Sequence, residues 1–217
     1  MKKSRILVVD DHPMVREWLA QMIHREPDLQ VCGETGDAAE TLKAIESLKP
    51  DMAIVDLTMK DSEGTELIRE IASRFSNLPV LVLSMHDESL YAERVIRAGA
   101  KGYIAKQEAA EKIRSAIHCV LGGQVYLSEA VASKIIRDTV ASRSASPTPS
   151  VDRLSEQQLT VMRLIGRGRS TNQIAEELEL SVKTVEGYIA RIKEKLKLKT
   201  ANELLQYAIQ FNKTVGH

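Results

Sequence analysis

The stretch Arg5-Ile-Leu-Val-Val-Asp10-Asp11 and its counterpart Asp51-Met-Ala-Ile-Val-Asp56 decide how the first half of this chain folds. Each is a short apolar run ending in an acid, which reads as a buried parallel strand delivering carboxylates to one edge of a sheet. In an open α/β sheet, ligands gather at the carboxyl ends of the strands. Three acids at one such edge repel one another; a pair about 4 Å apart costs roughly 4 kcal/mol at an effective dielectric near 20. A hard divalent cation with few protein ligands relieves that repulsion, and Mg²⁺ is the expected ion.

Working outward, further strand-like runs fall at Leu29–Glu34, Pro79–Ser84 and Gly102–Ala105. Helical patterns lie between them at Pro13–Arg25, Ala38–Leu48, Glu63–Phe75, Ser89–Ala98 and Ala109–Leu121. Five strands alternating with five helices predict a parallel, doubly wound sheet covered on both faces. Val131, Ile135, Ile136 and Val140 suggest one more helix, and Ala141-Ser-Arg-Ser-Ala-Ser-Pro-Thr-Pro-Ser150 reads as a linker. The expected division is 1–124 for the sheet domain, 125–150 for the connecting helix and linker, and 151–217 for a second domain.

That second domain reads as four short helices. Ser155-Glu-Gln-Gln158 is a capping box, and Gly166 and Gly168 are expected to stop the helix that follows it. Ser170 or Thr171 starts the next, and Ser181 caps a third carrying Val185, Ile189, Ile192 and Leu196 on one face. A fourth runs from about Ala201 to Phe211. The tight Glu179-Leu-Ser181 connection between the second and third matches a helix-turn-helix.

Composition sets the bounds. The 217 residues are 43% hydrophobic and 28% charged, ordinary for a globular protein and long enough for two domains. The formal charge is zero, yet the part from Val151 onward holds eleven basic residues against eight acids, near +3, leaving the remainder near −3. That asymmetry hints at an acidic site joined to a nucleic-acid-binding part. Cys32 and Cys119 lack metal-ligand spacing and are expected to be buried thiols. No run resembles a signal peptide or a membrane span, so a cytoplasmic protein without membrane contact is expected.

Asp10-Asp11, Asp56, Ser84 and Lys106 fall at the ends of the first, third, fourth and fifth strands, and this constellation resembles a two-component receiver domain. The C-terminal helices resemble a LuxR-type DNA-binding domain. Together they are similar to response regulators of the NarL/FixJ branch across nearly the whole chain. The resemblance implies a flavodoxin-like receiver fold followed by an all-α helix-turn-helix domain. It implies that Asp56 takes a phosphoryl group from a histidine kinase or small phosphodonor, with Mg²⁺ held by Asp10, Asp11, Asp56 and the backbone carbonyl of Thr58. Ser84 and Lys106 would bind phosphoryl oxygens, and Tyr103 would report the switched state. Phosphorylation would control dimerisation, DNA binding and transcription, with RNA polymerase a candidate contact. The only chemistry expected is self-phosphorylation and self-dephosphorylation of Asp56.

Counting about 100° per residue along the third helix places Lys183, Gly187, Ala190, Arg191 and Glu194 opposite the core face. Lys183 and Arg191 are best placed for phosphates or guanine edges. Thr184, Lys193, Lys195 and Lys197 would hold the backbone, and Glu186 can accept from a cytosine amine. Gly187 weakens the helix, which suggests close approach to DNA. In the family the last helix pairs with its mate, which here points to Glu203, Leu204, Tyr207, Ala208 and Phe211, although those apolar residues serve equally well as core.

Some positions depart from the family pattern. Lys60 stands where a proline is usual, Met85 is bulky beside Ser84, and His86 is a loop histidine able to tune phosphate lifetime. Two other classes of function are compatible with parts of the chain. A Mg²⁺-dependent phosphohydrolase would need an acid two residues after its nucleophile, where Thr58 stands. A receiver acting as a protein-binding adaptor would need no DNA.

Overall fold

The computed structural model describes residues 2–59, 62–85, 88–133, 135, 151 and 154–215. Lys60, His86, the Ser/Pro stretch 141–150 and the expected helical positions Ile136 and Val140 lie outside them. The chain forms two compact units, Met1–Ser142 and Arg143–His217.

In the first unit β1 (Ser4–Val9), β2 (Leu29–Thr35) and β3 (Met52–Val55) are followed by a two-residue pair, β4 (Thr58–Met59) and β5 (Ser62–Glu63). Then come β6 (Val80–Ser84) and β7 (Gly102–Ala105). The five longer strands form one sheet in the order β2-β1-β3-β6-β7, every pairing parallel. The small β4–β5 pair is antiparallel and separate. Helices α1 (Pro13–His24), α2 (Ala38–Leu48), α3 (Gly64–Arg74), α4 (Glu88–Ala98) and α5 (Ala110–Leu121) connect the strands.

Strand alternation divides the core. Ile6, Val8, Ile54, Leu81, Leu83 and Ile104 pack with Leu19, Met22 and Ile23 of α1 and Ile113, Ile117 and Val120 of α5. Their neighbours Leu7, Val9, Ala53, Val55, Val80 and Val82 are equally buried, because successive strand residues point to opposite faces and α2, α3 and α4 cover the second one. Strands buried on both faces carry continuous apolar runs.

Both cysteines depart from expectation: each is half-buried rather than buried, and both are free. The β1–β2 register passes from Ile6↔Val31 to Leu7↔Gly33, so Cys32 is the bulged residue of an edge strand. Cys119 lies on α5, its thiol directed toward Gln124 and Val125.

After α5 the chain returns to the sheet edge. Tyr126 accepts a backbone bond from Tyr103 and donates one to Lys101, and Ser128 then donates its backbone N–H to Glu88 Oε1 of α4 at 2.8 Å.

The second unit holds α6 (Glu156–Gly166), α7 (Thr171–Glu177), α8 (Val182–Leu196) and α9 (Ala201–Val215). Ser155 and Ser170 each form a full capping box with a glutamine three residues on, and Ser181 caps α8. The α7–α8 turn closes with Glu179 in the left-handed region at φ 53°. The first helix of this unit ends at Gly166, as expected. There a Cβ would lie 2.5 Å from the Ala208 carbonyl oxygen, so hydrogen alone fits at the α6–α9 crossing. The turn falls to Gly168, at φ 79°.

Candidate functional site

Parallel register brings the sheet's carboxyl ends together. Val9 pairs with Val55 and Ser84 with Ala105, so the next residues emerge side by side. Ladder bonds continue past the strands: Asp10 N donates to Thr35 O, Asp56 N to Val9 O, and Lys106 N to Ser84 O. These bonds fix the backbone of all three site residues before any side chain is considered.

Lys106 Nζ sits 2.6 Å from Asp10 Oδ2 and 2.7 Å from Asp56 Oδ2. Asp10, Asp56 and Ser84 are at most 2% exposed. The other Asp56 oxygen, Oδ1, is buried without a hydrogen-bond partner. Burial pushes the Asp56 carboxyl up to about 6; Lys106 and the Thr58 amide oppose this, and Asp10 adds to it. Burial by itself would lower the Lys106 ammonium, but the attraction of Asp56 and Asp10 outweighs it and the net shift is upward. Three acids against one lysine leave negative charge in excess, and an orphaned buried oxygen marks where a further cation is wanted.

Gly64 is required here. A Cβ at this position would approach Leu57 Cα to 2.5 Å and the Asp56 carbonyl to 2.9 Å, so α3 starts tight against the strand end that carries Asp56. Tyr103 is buried at 1% exposure.

Two neighbours had no separate signal in the sequence. His12 Nδ1 lies 2.7 Å from Asp11 Oδ1 and 3.0 Å from Asp10 Oδ1. Arg16 Nη1 donates to the Asp10 carbonyl at 2.6 Å while its Nε faces Glu34 at 3.5 Å. Adjacency to the acid pair was the available clue to His12; Arg16 is brought back only by the first turns of α1.

On α8, Lys183, Thr184, Glu186, Gly187, Ala190, Arg191 and Glu194 are exposed or half-buried, while Val185, Ile192 and Leu196 are buried. Ile189 is half-buried, at the margin of the apolar stripe. Neither Lys183 nor Arg191 forms an ion pair among the described residues. Thr184 is partly committed, its hydroxyl 2.7 Å from that of Ser181 at the cap. Lys195 turns inward: its Nζ donates to Gln158 Oε1 at 2.9 Å. Lys193 is half-buried and Lys197 ends the helix at φ 57°.

The last helix divides between a face that serves its own unit and one that does not. Leu204 and Ala208 are buried within their own unit at 2% and 0% exposure, because this face of α9 meets α6 at Gly166. Glu203 is engaged as well, accepting from the Lys199 backbone N–H at 2.7 Å. Tyr207 and Phe211 are half-buried. Among the described side chains of α9, the large apolar residues left exposed are Leu205 and Ile209.

Comparison with known proteins identifies both parts of the chain. A family model described as the response regulator receiver domain matches residues 6–118, and one for bacterial regulatory proteins of the luxR family matches residues 152–208. The oxygen regulatory protein NreC of Staphylococcus aureus is 33% identical over 210 residues, 95% of this chain and 97% of that protein. The crystal structure of a LuxR-family two-component response regulator from Aurantimonas sp. is 33% identical with a TM-score of 0.59, covering 64% of this chain and 99% of that one. The Salmonella typhimurium response regulator RcsB is 25% identical with a TM-score of 0.58, covering 95% of this chain and 98% of that one. No helix among the described residues is long and apolar enough to cross a membrane. With a receiver domain in its first half, a luxR-family domain in its second and whole-length relatives of the same construction, the chain belongs to the LuxR-family response regulators, the DNA-binding transcription regulators of two-component systems.

Proposed function

We propose that Asp56 is the phosphoacceptor and that its modification governs how α8 engages double-stranded DNA. The observation that carries the reading is the buried Asp56 carboxylate, held on one oxygen by Lys106 and unpaired on the other. The unpaired oxygen is free to attack phosphorus: an O–P bond forms at Asp56, and the bond to the donor's leaving atom breaks, that atom keeping the electron pair. Lys106 orients Asp56 before transfer and is placed to pair with the new phosphoryl oxygens afterwards. Ser84, fully buried at the end of β6, offers a hydroxyl to the same group. Two charge-assisted bonds at about 1.5–3 kcal/mol each supply most of the ~5.5 kcal/mol that shifts a two-state equilibrium from 1:99 to 99:1.

Asp10, Asp11, Asp56 and the Thr58 carbonyl would hold Mg²⁺, and the acid excess and orphaned oxygen fit such an ion. When bound, it neutralises phosphoryl oxygens during an in-line transfer. The donor is a sensor histidine kinase, as the family implies, or a small acyl phosphate. The place two residues beyond Asp56 holds Thr58 rather than an acid, which favours a regulator over a hydrolase of external esters.

On the DNA side Lys183 and Arg191 are the leading contacts, with Glu186, Gly187 and Ala190 facing the same groove. Thr184 and Lys193 come next; Lys195, tied to Gln158, serves the packing of its own unit. RcsB dimers have been seen bound to DNA, and a paired arrangement here would use Leu205 and Ile209, which α9 leaves exposed. Phosphorylation with acetyl phosphate, followed by DNA capture with and without beryllofluoride, tests the whole reading. Labelling that is lost in Asp56→Asn, together with DNA binding strengthened by beryllofluoride, is expected. Undiminished labelling of that variant would overturn the assignment. The double variant Leu205→Glu/Ile209→Glu should stay folded and fail to pair.

A further inference from the structure

The loop between β1 and α1 turns a nitrogen donor onto the acid pocket rather than onto the helix it caps. His12 is the N-cap residue of α1, yet its ring makes no cap hydrogen bond. Pro13, at the first helical position, needs no N–H satisfied. The imidazole is turned instead onto the acids, 2.7 Å from Asp11 Oδ1 and 3.0 Å from Asp10 Oδ1, while the His12 backbone N–H donates to Asp10 Oδ1 at 2.8 Å. Donor atoms of Asp10, Asp11, His12 and Asp56 all lie within 4.8 Å of one another. A first-row transition ion with bonds of about 2.1 Å spans roughly 4.2 Å between opposite donors, so a small contraction would close the set. The orphaned Asp56 Oδ1, on a carboxylate 2% exposed, independently marks the cation position.

We infer that His12 is a metal-selecting residue, giving this pocket a nitrogen donor that favours a borderline divalent ion such as Fe²⁺ or Co²⁺ relative to Mg²⁺. Magnesium takes oxygen donors and holds its waters, so it gains little from an imidazole. Later first-row ions bind imidazole with rising affinity from Mn²⁺ toward Cu²⁺. The ring is 59% exposed, so an ion can reach it without opening the core. Arg16, clamping the Asp10 carbonyl from the other side, holds the loop that presents it.

The inference rests on the acid pocket being a cation site, and the test separates the two. Full-length protein is titrated calorimetrically with MgCl₂ and with CoCl₂, each alone and in competition, for the wild type and for His12→Asn. Asparagine retains a donor for the carboxylates but is a poor ligand. The expected result is a Co²⁺/Mg²⁺ affinity ratio at the shared site at least ~10-fold lower in the variant, with a changed visible absorption of bound Co²⁺. An unchanged ratio and spectrum would overturn the role of His12 while leaving the cation site standing. Tighter binding of both ions by the variant would make the ring a plug rather than a ligand, and would also overturn it. If the wild type shows no Mg²⁺ binding displaced by Co²⁺, the cation site itself fails.

Discussion

Lys106 and Arg191, the cations central to the proposed function, live under opposite conditions. Lys106 is 8% exposed and locked between two aspartates, whereas Arg191 stands in solvent on α8 with no ion pair among the described residues. The first is held because its neighbours are buried charges that cannot be left alone. The second is uncommitted, as a group must be if it is to exchange water for phosphate or a base edge. Under the proposed function, response and recognition use the same kind of charge in contrary ways: one is satisfied inside the protein and would be rearranged, the other is left for a partner to satisfy.

The sharpest way to break this comparison is at Asp56. Asp56→Asn should abolish labelling by acetyl phosphate, read by mobility shift on a phosphate-retarding gel. Persisting label would place the acceptor elsewhere.

The same variant tests the energetics of burial. In metal-free protein the Asp56 carboxyl titrates near 6, about two units above its ordinary range. The unfolded chain therefore releases this proton at lower pH than the folded one does. That contribution weakens the native state as pH rises from about 4 to 6 and levels off above. At about 1.4 kcal/mol per unit, Asp56→Asn should stabilise the metal-free protein by up to ~3 kcal/mol at pH 7.5 and by nothing near pH 4. Chemical denaturation in EDTA across that range reads the difference, and a gain independent of pH would contradict burial of the carboxylate as its cause.

On the recognition side, Arg191→Ala should cost ~1–3 kcal/mol of DNA affinity if the side chain reads a base. If it meets only phosphate, the loss should be uniform across sequences and the salt slope should fall by about one unit. Fluorescence anisotropy at several salt concentrations separates these outcomes, and Lys195→Ala, already tied to Gln158, should leave the salt slope unchanged. The smallest expected effect is at Gly187. No atom lies within 4 Å of where its Cβ would be, so Gly187→Ala should stabilise the free second unit by ~0.5–1 kcal/mol. A simultaneous loss of DNA affinity would show that the missing side chain serves the complex.

The apolar runs made the sheet legible from residues alone, because a strand buried on both faces has no polar residue to spare, and acids at the ends of β1 and β3 have few other reasons to be there. Serine caps, the α7–α8 turn and the outward face of α8 were likewise local properties, written in residue types at helical spacing. Where expectation and structure part, partners distant in sequence are responsible. A bulge in β2 left Cys32 half-buried, and α6 drew Leu204 and Ala208 into the core of their own unit. The double grip of Lys106 on Asp10 and Asp56 had to await the tertiary structure for the same reason. Periodicity reports which side of an element is buried, but only the packing of separate elements decides what each buried group meets.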